Sequence, residues 1–555
     1  MECLALSNNR GRKPNIIIIL TDDQGFGDIG WHGNKKISTP NLDAFASASV
    51  EFTEYYASPV CAPTRASLMT GRYHFRTRVV DTWKGRALMA PEEVTLAEVL
   101  QQEGYRTGIF GKWHLGDNYP MRAMDQGFEE AIVHRGGGIT QPSCPADNSY
   151  FDPVLLHNGK PEKYHGYCMD VYTNEAIKYI EKNRNNPFFV YLATNTPHTP
   201  LQIGDEYADP YRSAGLSEKT ARLYGMITNI DDNLKRLLDK LKELNLDENT
   251  LILFISDNGP ELQTQDRYTA GLRKEKGSVY EGGIRVPCFI KWGNKFPPGK
   301  QINKIAAHID IMPTILDACD IAKPSHVEFD GLSLMPLLMD KDFPWPDRNL
   351  YFQWHRGDQP QKFRCFAVRN QRYKLLNGGT PGPEDNLPED TLTFELYDMS
   401  QDPFEKEDLS RIHPDIAAKM KAEYETWFKD VCSTRGFEPT EIYIGSQYEN
   451  PTVLTHEDRK GAAEWGTEQY YDAYWCVNVV RQLEYHMEVL LYNPTVTDGV
   501  LQIVFNDRKW SGAFKKGQLK VIVPNIQLPK ASGRLKVWLE MENKKVCPWF
   551  VEIGY

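Results

Sequence analysis

Asn15-Ile16-Ile17-Ile18-Ile19-Leu20-Thr21-Asp22-Asp23 is the stretch that decides the fold class. Its apolar run is far shorter than the ~18 residues a membrane helix needs, and it reads as a strand buried on both faces. A second run of the same kind, Leu251-Ile252-Leu253-Phe254-Ile255-Ser256, leads directly into Asp257-Asn258-Gly259. Residues 108–111 and 188–193 read as further buried strands. Helical patterns lie between them. Pro91 is expected to open a helix over residues 95–103, and Leu223, Met226, Ile227, Ile230, Leu234, Leu237, Leu238 and Leu241 recur at helical spacing. This alternation predicts an α/β region over residues 14–345, with a mixed, mainly parallel sheet covered by helices.

Beyond residue 345 the pattern changes. Residues 363–376 and 394–399 look like antiparallel strands, and a helix is expected from His413-Pro414 to about residue 429, giving a small α+β subdomain over 346–432. Residues 433–555 read as a β-sandwich-like accessory module, in which Leu535, Val537, Leu539 and Met541 alternate with Lys536, Trp538 and Glu540. Its aromatics, Tyr470, Tyr471, Tyr474, Trp475, Trp538 and Trp549, fit core or interdomain packing better than a carbohydrate platform. No fixed-period repeat is present, which removes solenoids and propellers.

Composition narrows the function. With 64 basic and 75 acidic residues the net charge is −11, which argues against nucleic acid or an anionic membrane as the main partner. Nothing in the sequence reads as a membrane span. The first ten residues lack the charged and apolar regions of a secretory signal, so a signal is expected to be absent or already removed. Ten cysteines without CxxC spacing suggest neither zinc ligation nor a disulfide framework.

The two acidic tips, Asp22-Asp23 and Asp257-Asn258, follow strands at the sheet edge where open α/β proteins bind ligands. Three carboxylates and an amide oxygen form a hard donor set that suits calcium or magnesium rather than zinc. Taken alone, either pair reads more readily as a strand-end turn. Cys61-Ala62-Pro63-Thr64-Arg65, followed by Ser67, Leu68, Thr70 and Gly71, adds a second feature. Pro63 suits a first helical turn, which puts Cys61 at a helix N-terminus where unpaired N–H groups favour negative charge. An isolated cysteine there is more often structural. Four more motifs follow in order: Gly111-Lys112-Trp113-His114-Leu115-Gly116, Thr196-Pro197-His198, Ser256-Asp257-Asn258-Gly259-Pro260-Glu261, and Lys276-Gly277-Ser278-Val279-Tyr280-Glu281-Gly282-Gly283.

Together these motifs resemble the type I, formylglycine-dependent sulfatases over about residues 14–430, with Met69 in place of the usual leucine before Thr-Gly. The resemblance implies an alkaline-phosphatase-like core. It implies that a maturase reading Cys-x-Pro-x-Arg oxidises Cys61 to formylglycine. It also implies that Asp22, Asp23, Asp257 and Asn258, with the group at position 61, hold one divalent cation, usually calcium. Arg65 would steady the formylglycine hydrate, Lys112 and Lys276 would hold sulfate oxygens, His114 would act as base, and His198 would lie near the bridging oxygen, as general acid. The cations then outweigh the carboxylates, so an acidic protein still binds an anion locally. A hydrate hydroxyl would attack sulfur, and its twin would lose a proton to expel sulfate.

Selectivity is expected from loops outside these motifs. His134-Arg135-Gly136-Gly137-Gly138 reads as a cationic glycine-rich loop, and Gln353-Trp354-His355-Arg356-Gly357-Asp358 combines an aromatic face with hydrogen-bonding groups. The second stretch looks like one in bacterial carbohydrate sulfatases, which favours a sulfated glycan substrate and places Trp354, His355 and Arg356 against the sugar. The family habit implies a periplasmic or secreted enzyme. Two alternatives stay open: a phosphonate or phosphate ester hydrolase of the same superfamily, and a catalytically silent glycan-binding protein in which Cys61 stays a thiol.

Overall fold

The computed structural model describes residues 13–555 apart from 262–263, 265, 341–342, 380–391, 462–471 and 543, so Cys3, Tyr470 and Tyr471 lie outside the described residues. The elements that position the site are β1 (Asn15–Thr21), α1 (Cys61–Thr70), β2 (Arg106–Lys112), β3 (Glu130–His134), β4 (Phe188–Ala193), α2 (Glu218–Glu243), β5 (Thr250–Ser256) and β6 (Cys288–Trp292). Among the described residues ten strands form the main sheet, with β6, β5, β1, β4, β2 and β3 side by side in that order. The pairs from β5 to β3 are parallel, whereas β6 runs antiparallel to β5.

The aliphatic run of β1 explains its central place. Ile16, Ile18 and Leu20 join one core cluster, and Ile17 and Ile19 join another on the opposite face. A strand covered on both sides has no use for polar alternation. The first cluster also takes Ala62, Ala66, Leu68 and Met69 of α1, and the second takes Met226, Ile230, Leu234, Leu237 and Leu241 of α2. Each fully buried large aliphatic side chain contributes roughly 1.5–3 kcal/mol. The helix expected over residues 95–103 runs Leu96–Gln102, but Thr95 rather than Pro91 opens it, in a reciprocal capping box with Glu98, and Pro91 lies in the preceding turn.

Among the described residues from 346 on, four antiparallel strands, Leu350–Gln353, Phe366–Arg369, Tyr373–Asn377 and Glu395–Asp398, pack with the helix Pro414–Ser433, which ends one residue past the expected boundary. The antiparallel strands expected over 363–376 form a hairpin, with Phe366 facing Asn377 across it and a turn between Arg369 and Tyr373. The last 120 or so residues form two further sheets around one shared apolar core that includes Trp475, Met487, Ile503, Val537 and Val551. Leu88 and Met121 of the α/β region belong to that same core. The indole N–H of Trp549 donates to the Cys144 carbonyl at 3.1 Å. The β-rich region is thus docked on the α/β region by packing and hydrogen bonds. No helix among the described residues is long and apolar enough to cross a membrane, and the nine described cysteines are unpaired.

Candidate active site

The register of β1 and β5 sets Thr21 beside Ser256, so the two acidic tips leave the sheet side by side. Asp22, Asp257 and Asn258 are fully buried. Asp23 adopts a left-handed backbone conformation (φ 64°), and its N–H donates to Asp257 Oδ1 at 3.2 Å. Asn258 Nδ2 donates to Asp23 Oδ1 at 2.7 Å. Two strands away, β2 delivers Lys112 and then His114, another non-glycine residue held left-handed (φ 60°). Such conformations cost of order 1–3 kcal/mol and cluster where surrounding structure enforces a functional geometry. Gly111 makes the approach of β2 to β4 possible, since a Cβ there would fall 2.0 Å from the Ala193 carbonyl oxygen.

Cys61 is the first residue of α1, and Arg65 follows one turn on. The fully buried Arg65 guanidinium donates twice to Asp257 Oδ2, at 3.1 and 2.7 Å, and once to the Lys112 carbonyl at 2.8 Å. Lys112 Nζ lies 2.7 Å from Asp22 Oδ2, and Lys276 Nζ lies 2.8 Å from Asp23 Oδ2. Charges this deep persist only when paired. Burial alone would raise the Asp22 and Asp23 carboxyls, but Lys112 beside Asp22, and Lys276 and His198 beside Asp23, hold both below the ordinary carboxylate range. Asp257 is pushed well up instead, by burial and by the neighbouring Asp22. Burial opposes ionisation of Cys61 as well, yet Lys112, Lys276 and His114 bring its thiol down to about 5. The pocket therefore favours an anion at position 61.

A divalent cation fits this cluster. Asp22 Oδ1 and Asn258 Oδ1 are buried without a hydrogen-bond partner, although buried oxygens are normally paired. Ligand atoms of Asp22, Cys61 and Asp257 lie within 4.8 Å of one another, and Asp23, His198 and Glu261 form an adjoining group of the same compactness. The carboxylate and amide oxygens suit a hard cation.

The two histidines have defined faces. His198 Nδ1–H donates to the Thr199 carbonyl at 2.6 Å, which leaves Nε2 toward the site, 3.7 Å from Asp23 Oδ2. His114 Nε2–H donates to the Thr82 carbonyl at 2.9 Å, leaving Nδ1 to face Cys61. Burial lowers His114, but Cys61 and Glu457 outweigh it and raise the imidazole to about 9.

Glu457 is a residue that sequence reasoning missed. It lies in the turn after strand Thr452–Thr455 of the β-rich region, with Oε1 3.5 Å from His114 Nε2 and accepting the Gly137 N–H at 2.9 Å. A Cβ on Gly137 would come within 3.0 Å of the His114 ring, so the glycine-rich loop, the imidazole and Glu457 fix one another. Glu457→Gln is expected to lower kcat by up to about 100-fold with little change in KM, because it loosens a reacting group rather than a binding contact. A parallel rise in KM would argue for a substrate contact instead.

The expected cationic loop differs in kind. His134 is buried, its Nδ1 bonded to the Arg135 carbonyl at 2.9 Å, and burial holds it neutral, down to about 3. The charge sits on Arg135, amid the carboxylates of Asp117, Glu457 and Asp458. Trp354 donates its indole N–H to the Gly277 carbonyl at 2.7 Å, beside Lys276. Arg356 pairs with Asp81 at 2.9 Å and lies over the Trp354 ring at 4.9 Å, and His355 is buried next to them.

Comparison with known proteins agrees with this geometry. Residues 14–321 match the sulfatase family model, and residues 274–429 match the model for the N-sulphoglucosamine sulphohydrolase C-terminal region. Human arylsulfatase A is 31% identical over 442 residues, covering 72% of this chain and 83% of that protein. The N-acetylgalactosamine-6-sulfatase of Canis lupus familiaris is 30% identical, covering 62% and 69%. Among solved structures, Ps i-CgsB in complex with k-i-k-neocarrahexaose superposes with a TM-score of 0.67 at 30% identity, covering 77% of this chain and 96% of that one.

Proposed function

We propose, from the premise that this chain belongs to the sulfatase family, that it hydrolyses a sulfate ester on a glycan at the site built around Cys61 and Asp22. Sulfate ester hydrolysis is the activity of the family. The glycan rests on the N-acetylgalactosamine-6-sulfatase likeness and on the carbohydrate bound by Ps i-CgsB. The observation that carries the reading is the constellation itself. A buried residue 61 lies among Lys112, Lys276 and Arg65, whose pull favours an anion, beside unpartnered carboxylate and amide oxygens.

When present, calcium or magnesium held by Asp22, Asp23, Asp257 and Asn258 would polarise the sulfuryl oxygens, and formylglycine made from Cys61 would supply the attacking hydroxyl. The chain's own residues do the rest. Lys112 and Lys276 bind sulfate oxygens and stabilise the charge that grows on them during transfer. Arg65 locks Asp257 in place through two parallel hydrogen bonds. Once formylglycine replaces the thiol that helps hold its imidazole near 9, His114, with Nε2–H committed to Thr82, would present Nδ1 to take a proton from the group at position 61. His198 presents Nε2 to give a proton to the departing sugar oxygen. Trp354, His355 and Arg356 form the wall against which the sugar lies, and the loop carrying His134 and Arg135 is a further candidate for contact with it. A maturase is required as partner, and the enzyme works in the periplasm or outside the cell.

The experiment is a comparison of kcat/KM on sulfate and phosphate esters of one alcohol, with protein produced alongside a maturase. A sulfate preference of at least about 100-fold is expected. A phosphate or phosphonate preference would transfer the site to the rival hydrolase class, and binding of sulfated glycans with no turnover of either ester would make the chain a binding protein.

A further inference from the structure

A cavity of about 450 Å³ lies where three parts of the chain meet. Its described lining includes Arg86 from the α/β region, Arg356 from the small subdomain and Lys460 from the β-rich region, beside two carboxylates, Asp81 and Asp358. Asp81 is taken by Arg356 at 2.9 Å. Asp358 is shared: its Oδ1 accepts from Lys460 and lies 3.7 Å from Arg86 Nε. Arg86 is almost completely buried, and its Nη1 and Nε have no hydrogen-bond partner, nor does the buried His355 Nδ1 on the same lining.

A buried guanidinium with unmet N–H donors is unfavourable, and an entering anion satisfies them. The cavity adjoins the catalytic centre. Asp81 precedes Thr82, whose carbonyl holds His114, and Arg356 lies over Trp354, which is bonded to Gly277 next to Lys276.

We propose that this cavity is a second oxyanion subsite, seating a further sulfate ester or a uronic acid carboxylate of the same glycan whose scissile sulfate lies at Lys112 and Lys276. The inference rests on the sulfatase reading and narrows its substrate to glycans with at least two anionic groups. Both oxyanions can accept the two unused Arg86 N–H groups and neutralise the shared Asp358 cluster.

The test is a set of matched disaccharides carrying one sulfate, two sulfates, or one sulfate and a uronate, assayed with matured enzyme. The dianionic forms are expected to exceed the singly sulfated ones in kcat/KM by about 10- to 100-fold. Whichever of the two dianions gains more identifies the second group. Lys460→Met and Arg86→Met should collapse that ratio toward one. Asp358→Asn, at a half-exposed carboxylate, should increase it, since one competing negative charge is gone. Because Arg86→Met alters a buried position, the Asp358→Asn result and calorimetric binding of the disulfated disaccharide to the Cys61→Ala protein supply readouts that do not depend on that variant folding. Equal kcat/KM on singly and doubly charged substrates, or ratios unmoved by all three substitutions, would overturn the subsite and leave the sulfatase reading intact. Failure to turn over any sulfate ester would overturn both.

Discussion

Cys61→Ala is expected to reduce turnover of every sulfate ester by about 10⁵- to 10⁶-fold, the scale on which removing a nucleophile acts. The side chain is small and almost fully buried at the first position of α1. Shortening it costs about 1 kcal/mol, so thermal unfolding should shift by no more than a few degrees. Cys61→Ser should be nearly as inactive, because a serine hydroxyl is not the substrate of cysteine oxidation and offers no second hydroxyl. Steady-state assays beside circular dichroism separate these effects. Ordinary activity in the folded alanine variant would remove residue 61 from the chemistry.

Metal removal should have a comparable effect. Chelation of matured protein is expected to bring activity to background, with recovery on adding calcium or magnesium and none on adding zinc alone. A second readout is independent of turnover. A ligand that binds only the folded state stabilises it by about 2.7 kcal/mol at 100 times its Kd, so calcium should raise the unfolding temperature of chelator-treated protein. Asp22→Asn and Asp257→Asn should abolish that rise, because each removes a carboxylate from the buried group around Cys61. Unchanged Tm and activity after chelation would contradict the assignment of these oxygens as metal ligands.

Much of the site was legible because its parts follow local rules. A run such as residues 16–20 forms a central strand wherever both faces are covered, and the polar residues that follow it emerge at the sheet edge. Pro63 and the Cys61 motif mark a helix start by local backbone chemistry alone. The chain order of the motifs around Lys112, His198, Asp257 and Lys276 supplied the remainder through family resemblance.

Other features depended on contacts that no local window contains. Glu457 meets Gly137 across 320 residues, and nothing in Thr455-His456-Glu457-Asp458 marks one carboxylate as a partner for a distant imidazole. The environment of Arg86 has the same origin, since its counter-charge comes from Asp358, which Lys460 shares. His134 read as a cation in a glycine-rich loop, but it closes β3 inside the protein, where desolvation favours the neutral ring. The helix after Pro91 lies where expected, but Thr95 and Glu98 rather than Pro91 open it, because their capping box satisfies two backbone N–H groups.

The most direct test of the account is the mass of the peptide containing residue 61, measured on protein produced with a maturase and compared with the specific activity of the same preparation. The account predicts a species lighter by the difference between a CH₂–SH and a CHO side chain, in a fraction that rises in proportion to sulfate ester turnover. Full turnover from a preparation in which residue 61 is entirely thiol would contradict it.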